Sequence, residues 1–156
     1  KQCLVGSEMC IRDRVYLVAS ARSAGSKINF KGKDIEVENL ETFDFSKAKI
    51  TFFAAGGKIS EAYASKAANH SIVIDNSSFY RMDPDVPLIV PQVNADDLKN
   101  IKKNIIANPN CSTAQLVLPL KPIHELFKIK RVVVATYQSV SGGGKAPMDE
   151  LVEQTS

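Results

Sequence analysis

ITFFAAGGKISEAYASKAANHSIVIDNSS, residues 50–78, reads as a strand, a helix and a second strand. ITFFAA (50–55) is an apolar run of the kind buried on both faces of a sheet, and Gly56 and Gly57 end it. Lys58 to Asn69 place Ile59, Ala62, Tyr63 and Ala67 at helical spacing, and SIVIDNSS (71–78) opens the next buried strand. Two strands joined through a helix run parallel, so this unit predicts a parallel sheet.

The pattern continues in both directions. Upstream, VYLVAS (15–20) is a strand ending in the polar loop SARSAGSK, and INFKGKDIEVEN resembles a hairpin turned at Lys31 to Lys33. Downstream comes a proline-punctuated excursion, YRMDPDVPLIVPQVN, after which Asn94 is placed to cap a short helix over Ala95 to Ile101. NIIANP (104–109) is another strand. NCSTAQLVLPLKPIHELF then reads as a helix opened by Asn110 to Thr113 and bent or interrupted by Pro119 and Pro122. Lys130 to Val140 predict a long strand, and Gly142 to Gly144 lead into a last helix. The fold class expected is α/β, with a doubly wound, mostly parallel sheet. In such sheets ligands bind outside the carboxyl ends of the strands, so SARSAG, AAGG, DNSS and NPNCST should line one rim.

At 156 residues the chain holds one full domain, or one domain and a piece of a second. Hydrophobic residues at 44% and charged residues at 24% suit an ordinary globular chain, and the lack of Trp with only 7% aromatics predicts an aliphatic core. The net charge of +3 is spread without a basic block, which gives nucleic-acid binding no support. The longest uncharged stretch, Asn104 to Leu120, is interrupted by polar residues and proline, so no membrane span is expected, and no secretory signal is visible. Cys3, Cys10 and Cys111 form neither a zinc pattern nor a disulfide framework, so no metal is expected and a reducing cytoplasm is the simplest compartment.

The chemical centre is Asn108-Pro109-Asn110-Cys111-Ser112-Thr113. A thiol at the start of a helix meets the positive end of the dipole and unpaired backbone N–H groups, conditions that favour a thiolate and supply donors for a developing oxyanion. A lone cysteine is more often a small buried hydrophobe, but a buried filler does not need the flanking cap signals.

NIIANPNCST, followed by TYQSVSGGGK and preceded by SARSAG, AAGG and VIDNSSFYRMDPDVPLIVP, resembles the bacterial aspartate-semialdehyde dehydrogenases from about Val15 onward. Two related families are expected to read differently at the cysteine: NPGCYPT in N-acetyl-glutamyl-phosphate reductase and SCTTN in glyceraldehyde-3-phosphate dehydrogenase. The resemblance implies a Rossmann-like NADP-binding domain and NADPH-dependent conversion of L-aspartyl 4-phosphate to the semialdehyde, with release of phosphate, in lysine, threonine and methionine biosynthesis. Cys111 would be the nucleophile that carries the acyl group as a thioester. Gln138 would orient the substrate, and Arg81 with Asn110 would contact its anionic groups; a planar five-donor guanidinium suits a phosphate on physical grounds as well. Arg22 and Ser23, after the first predicted strand, would select the 2′-phosphate of NADP, and Ser141 and Gly142 would lie near the nicotinamide. The parent is expected to be a homodimer or homotetramer. His70 and His124 read as ordinary helix residues.

Departures accompany the match. Residues 1–14, KQCLVGSEMCIRDR, fit neither a helix nor an alternating strand and are expected to be non-native, of the kind left by translated sequencing-adapter read-through. On that reading 15–129 is a partial dinucleotide-binding domain, missing its first strand and glycine-rich loop, and 130–156 begins a catalytic and dimerisation domain. The strands at 15–19 and 50–55 should then face an open edge or a gap, and a fragment cut at both ends should be inactive alone. Gln92 and Gly143 stand where the family more often has Glu and Ala. A related acyl-phosphate reductase and a non-catalytic nucleotide-binding module are the alternatives.

Overall fold

The protein's structure, a computed structural model, describes residues 3–6 and 14–155. The expectation of a non-native 1–14 falls largely outside the described residues. The chain divides into two units, 1–121 and 122–156. In the first, seven strands form one sheet: β1 (Cys3–Gly6), β2 (Val15–Ala19), β3 (Lys27–Phe30), β4 (Lys33–Asn39), β5 (Ile50–Phe53), β6 (Ile72–Asp75) and β7 (Ile105–Ala107), in the order β3-β4-β2-β1-β5-β6-β7. β2 runs parallel to β4, and β5, β6 and β7 are mutually parallel. Because β1 is antiparallel to both β2 and β5, those two share a direction, so the sheet is mostly parallel as the strand-helix-strand pattern predicts.

β1 corrects one expectation. The slot between β2 and β5 is not a gap: Leu4 pairs with Leu17 on one side and Phe52 on the other. An open slot would leave two rows of N–H and C=O groups unpaired, and four residues of extended chain suffice to satisfy part of them.

The hairpin turns at Lys31 and Gly32, both at positive φ, 51° and 77°, the geometry of the tight turn whose twist matches paired strands. Helix α1 (Gly57–Ala68) joins β5 to β6 and buries Ser60, Ala64, Ala67 and Ala68. Gly56, at φ 102°, makes the turn into it. The excursion after β6 returns along the sheet edge, where Ala107 N–H donates to Pro87 and Ile89 N–H donates to Ala107, so β7 is not a bare edge. Next come the single-turn α2 (Pro91–Asn94) and a 3-10 stretch, Ala95–Asn100. Asn94 does not cap that stretch as expected. Its Oδ1 accepts from Val90 N–H, and its Nδ2 donates to Leu88 O and Asp97.

The core is not purely aliphatic. Tyr16, Phe43, Phe45 and Phe53 form a chain of ring contacts with centroid separations of 5.8, 5.3 and 6.4 Å. Around it pack Val18, Leu40, Val73, Val86, Ile105 and the alanines of α1. β5 is covered on one face only: Thr51 and Phe53 are buried, whereas Phe52 is 41% exposed.

Helix α3 (Cys111–Phe127) runs unbroken through Pro119 and Pro122. Each proline removes one helical hydrogen bond, but both lie on exposed positions where water can take the freed carbonyl. The second unit holds the end of α3, a segment without regular secondary structure, a 3-10 turn at Val140–Gly143 and helix α4 (Lys145–Thr155). The long strand expected over 130–140 is not formed, because no described residue pairs with it; Val132, Val133, Val134 and Tyr137 stand exposed. Among the described residues no helix is long and apolar enough to cross a membrane.

Phe53 is 1% exposed at the end of the aromatic chain. Phe53→Ala should cost about 3–5 kcal/mol of stability in urea denaturation, and a loss below about 1 kcal/mol would place the core elsewhere.

Candidate active site

The strands β2, β4, β5, β6 and β7 end on one rim, and SARSAG, AAGG, DNSS and NPNCST follow four of them, as the pattern predicts. After β7, Asn108 and Pro109 lead to Asn110, whose Oδ1 accepts from Ser112 N–H at 2.9 Å and whose carbonyl accepts from Ala114 N–H at 3.0 Å. Asn110 thus caps α3. Cys111 is the first residue of the helix, unpaired and exposed, its Sγ 3.9 Å from Asn110 Oδ1. Exposure excludes the reading of this thiol as a buried filler.

Arg81 lies against the same turn. Its Nε donates to Asn108 O at 2.9 Å and its Nη2 donates to Asn76 O at 3.2 Å. The guanidinium therefore bridges the ends of β6 and β7, and its contact with Asn108 O falls three residues before the cysteine. Asn76 and Asn108 also meet through their side chains, Nδ2 of Asn108 donating to Oδ1 of Asn76 at 2.7 Å.

Beneath them sits Asp75, fully buried. Its Oδ1 accepts from Ser60 Oγ at 2.8 Å and Ser77 N–H at 2.9 Å, and its Oδ2 accepts from Ser77 Oγ at 2.7 Å. The sequence places Asp75 and Asn76 in the rim loop DNSS and Asn108 in the cysteine motif, but gives none of these three, nor Ser60, a role of its own. The one signal was a carboxylate ending an apolar strand, SIVID, which has to find donors on folding.

The excursion that carries Arg81 is held from its other side. Lys103 Nζ contacts both carboxylate oxygens of Asp83, at 3.0 and 2.9 Å, and Lys102 reaches Asp85 at 2.9 Å. The Lys103 hydrogen bond, helped by Asp85 N–H, draws Asp83 below the ordinary carboxylate value, and Lys102 does the same for Asp85. Lys103 is raised in turn by Asp83.

Arg22 is exposed in the turn after β2 and makes no ion pair with a described residue. Ser23 is part-buried in that turn; its carbonyl accepts from Ser26 Oγ at 2.7 Å. Gln138, Ser141 and Gly142 belong to the second unit. There Ser141 Oγ lies 2.9 Å from Ser139 Oγ, and a Cβ at Gly142 would stand 2.7 Å from Gln138 Nε2, so the glycine leaves room for the Gln138 carboxamide. The turn after β2 and the glycines after β5 lie on this rim, outside the carboxyl ends of the strands. β1 does not contribute there: it ends at Gly6, paired with Val15 and Ile50 at the starts of β2 and β5, on the opposite rim.

A mostly parallel α/β sheet with an exposed cysteine opening the helix on its ligand rim defines a dinucleotide-binding type of domain that carries a candidate nucleophile. Residues 11–101 match the semialdehyde dehydrogenase NAD binding domain and residues 120–156 the semialdehyde dehydrogenase dimerisation domain; the chain belongs to the semialdehyde dehydrogenase family. It is 50% identical over 145 residues to aspartate-semialdehyde dehydrogenase of Shewanella violacea and 52% identical over 146 residues to that of Aquifex aeolicus, each match covering 92% of this chain. The chain spans 43% of the length of both relatives. Among solved structures, aspartate semialdehyde dehydrogenase II from Vibrio cholerae is 50% identical with a TM-score of 0.84 over 92% of this chain and 43% of that one. A complex of the Vibrio cholerae enzyme with ASA gives 0.83 at 49% identity, over 90% of this chain and 42% of that one. The Candida albicans enzyme with NADP gives 0.52 at 31% identity, over 70% of this chain and 38% of that one.

The ion pairs predict a pH response with a defined sign. Asp83's pKa is lowered, so its bridge to Lys103 is complete above the ordinary value of 3.8 and is lost as pH falls through the lowered one. Lys103→Ala should return the Asp83 titration toward 3.8, read from the carboxyl carbon shift by NMR. An unchanged titration would mean the pair does not form in solution.

Proposed function

We propose that the enzyme to which this chain contributes reduces L-aspartyl 4-phosphate to L-aspartate 4-semialdehyde through a thioester on Cys111, as a step toward lysine, threonine and methionine. The observation that carries this reading is the exposed thiol at the capped start of α3, after a turn whose Asn108 carbonyl accepts from Arg81, in a chain about half identical to enzymes named for that product. The Cys111 thiolate attacks the C4 carbonyl, a C–S bond forms, and the C–O bond to phosphate breaks as the tetrahedral intermediate collapses. N–H groups of the first turn of α3 face the developing oxyanion. Arg81 and Asn110 hold the phosphate, and Gln138 orients the amino-acid part of the substrate. A reduced nicotinamide nucleotide, when bound, supplies the hydride that releases the aldehyde and regenerates the thiolate.

NADP is the proposed coenzyme. Arg22, exposed after β2, and Ser23 beside it offer a cation and a hydroxyl to a 2′-phosphate, where an acidic residue would suit a free ribose hydroxyl. Ser141 and Gly142 are assigned to the nicotinamide by the family match. The working form is a homodimer or homotetramer in the cytoplasm, assembled through the domain that 120–156 begins.

Two variants of the full-length enzyme test this. Cys111→Ala should remove turnover with aspartyl phosphate, by at least about 10³-fold, while nucleotide affinity stays within about twofold. Appreciable residual activity would sink the nucleophile assignment. Arg22→Ala should weaken NADPH by about tenfold or more and leave NADH nearly unchanged, since only the former presents a phosphate to the guanidinium. Equal losses for the two coenzymes would make Arg22 a structural residue.

A further inference from the structure

The turn that delivers Cys111 is fixed by more than its cap. Asn108, three residues before the cysteine, is held at three atoms: its N–H donates to Asp75 O at 2.8 Å, its carbonyl accepts from Arg81 Nε at 2.9 Å, and its Nδ2 donates to Asn76 Oδ1 at 2.7 Å. Arg81 reaches from Asn108 O to Asn76 O, so Asn76, Asn108 and Arg81 close a ring of hydrogen bonds across the ends of β6 and β7. Two of these bonds are made by backbone groups that any residue would supply. The Asn76 carboxamide oxygen is different: it is the acceptor that fixes the Asn108 side chain.

We propose that Asn76 is a positioning residue for the Cys111 nucleophile, acting through Asn108; this rests on the thioester reading above. Asn76 makes no hydrogen bond to Cys111 or Asn110, the residue and cap at the head of α3. Its effect passes along the short, proline-stiffened turn Asn108-Pro109-Asn110, in which Pro109 is buried and fixes its own φ. Releasing Asn108 from Asn76 lets that turn shift, and the sulfur moves with it. Attack on an acyl carbon requires a near-contact geometry, so a displacement of about an ångström lowers the rate of the chemical step by about 10²-fold without weakening binding. The chemistry of the bond also states which replacement keeps the function. Asn76 acts as an acceptor, so Asp retains it and Leu, of similar size, does not.

The experiment uses the full-length enzyme in three forms: unaltered, Asn76→Leu and Asn76→Asp. Asn76 is exposed, and both variants should melt at the midpoint of the unaltered enzyme. Asn76→Leu should lower kcat by about 10- to 100-fold with the KM for the acyl phosphate and the Kd for the nucleotide within about twofold. It should also slow alkylation of Cys111 by iodoacetamide about three- to tenfold, because the thiol no longer holds one orientation toward the first turn of α3. Asn76→Asp should restore both rates to within about threefold of the unaltered enzyme. The proposal is overturned by an Asn76→Leu enzyme whose kcat and alkylation rate stay within about twofold, by a loss confined to KM, or by an Asn76→Asp enzyme as impaired as the leucine variant. Alkylation needs no turnover, so if the unaltered enzyme fails to reduce the acyl phosphate, that arm still decides the role of Asn76 by itself.

Discussion

A carboxylate with no access to water is the constraint around which the rim is arranged. Asp75 ends β6 fully buried, and a polar side chain there is tolerable only if its oxygens find hydrogen-bond partners. Ser60 brings one from the first turns of α1, and Ser77 brings its hydroxyl and its N–H from the loop that follows. Satisfying Asp75 therefore fixes the helix after β5 and the loop after β6 relative to each other. The backbone of the same residue accepts from Asn108 N–H, which sets where β7 ends. Three of the segments on the ligand rim are tied to one side chain and its carbonyl, and Cys111 takes its place from the third.

β1 separates two requirements that are usually met together in this kind of sheet. A strand between β2 and β5 is needed to pair their backbones, and its direction is irrelevant to that purpose. Direction matters for the ligand, because the loop after a strand faces the coenzyme only if the strand ends on the ligand rim. Here Cys3–Gly6 fills the slot antiparallel and ends on the far rim. Pairing is satisfied by β1 whatever its direction, and among the described residues the loops placed on the ligand rim are those that follow the parallel strands, the turn after β2 and the glycines after β5 included.

Strands and helices whose pattern repeats locally were legible in the amino-acid sequence. VYLVA, SIVID and the Ala-rich helix between Gly57 and Ala68 each carry their own periodicity, and the parallel sheet follows from their alternation. The aromatic part of the core was not, because Phe43 and Phe45 flank Asp44 in a short charged segment that resembles a linker. Their burial comes from a 3-10 turn, in which Asp44 accepts from Ser46 N–H, and from contact with Phe53. The thiol and Arg81 were found from their motifs and Asn110 from the motif and its capping chemistry. The contact between Asn76 and Asn108 was not, since a side-chain pair 32 residues apart leaves no trace in spacing.

The segment from Lys130 to Val140 marks where local pattern stops deciding structure. RVVVATY has the β-branched content of a strand, yet it pairs with no described residue, and Val133 is 79% exposed and Tyr137 fully so. A helix satisfies its backbone within itself, so α4 forms from its own sequence; a strand depends on a neighbour for every bond it makes. Composition can state that this stretch prefers to be extended, but only another strand makes it part of a sheet. The residues after it conform to expectation because their hydrogen bonds are local: Gly142 N–H returns to Ser139 O and Gly144 N–H to Ser141 O. The difference between the two outcomes is therefore the range of the hydrogen bonds each element requires, and not the strength of its intrinsic preference.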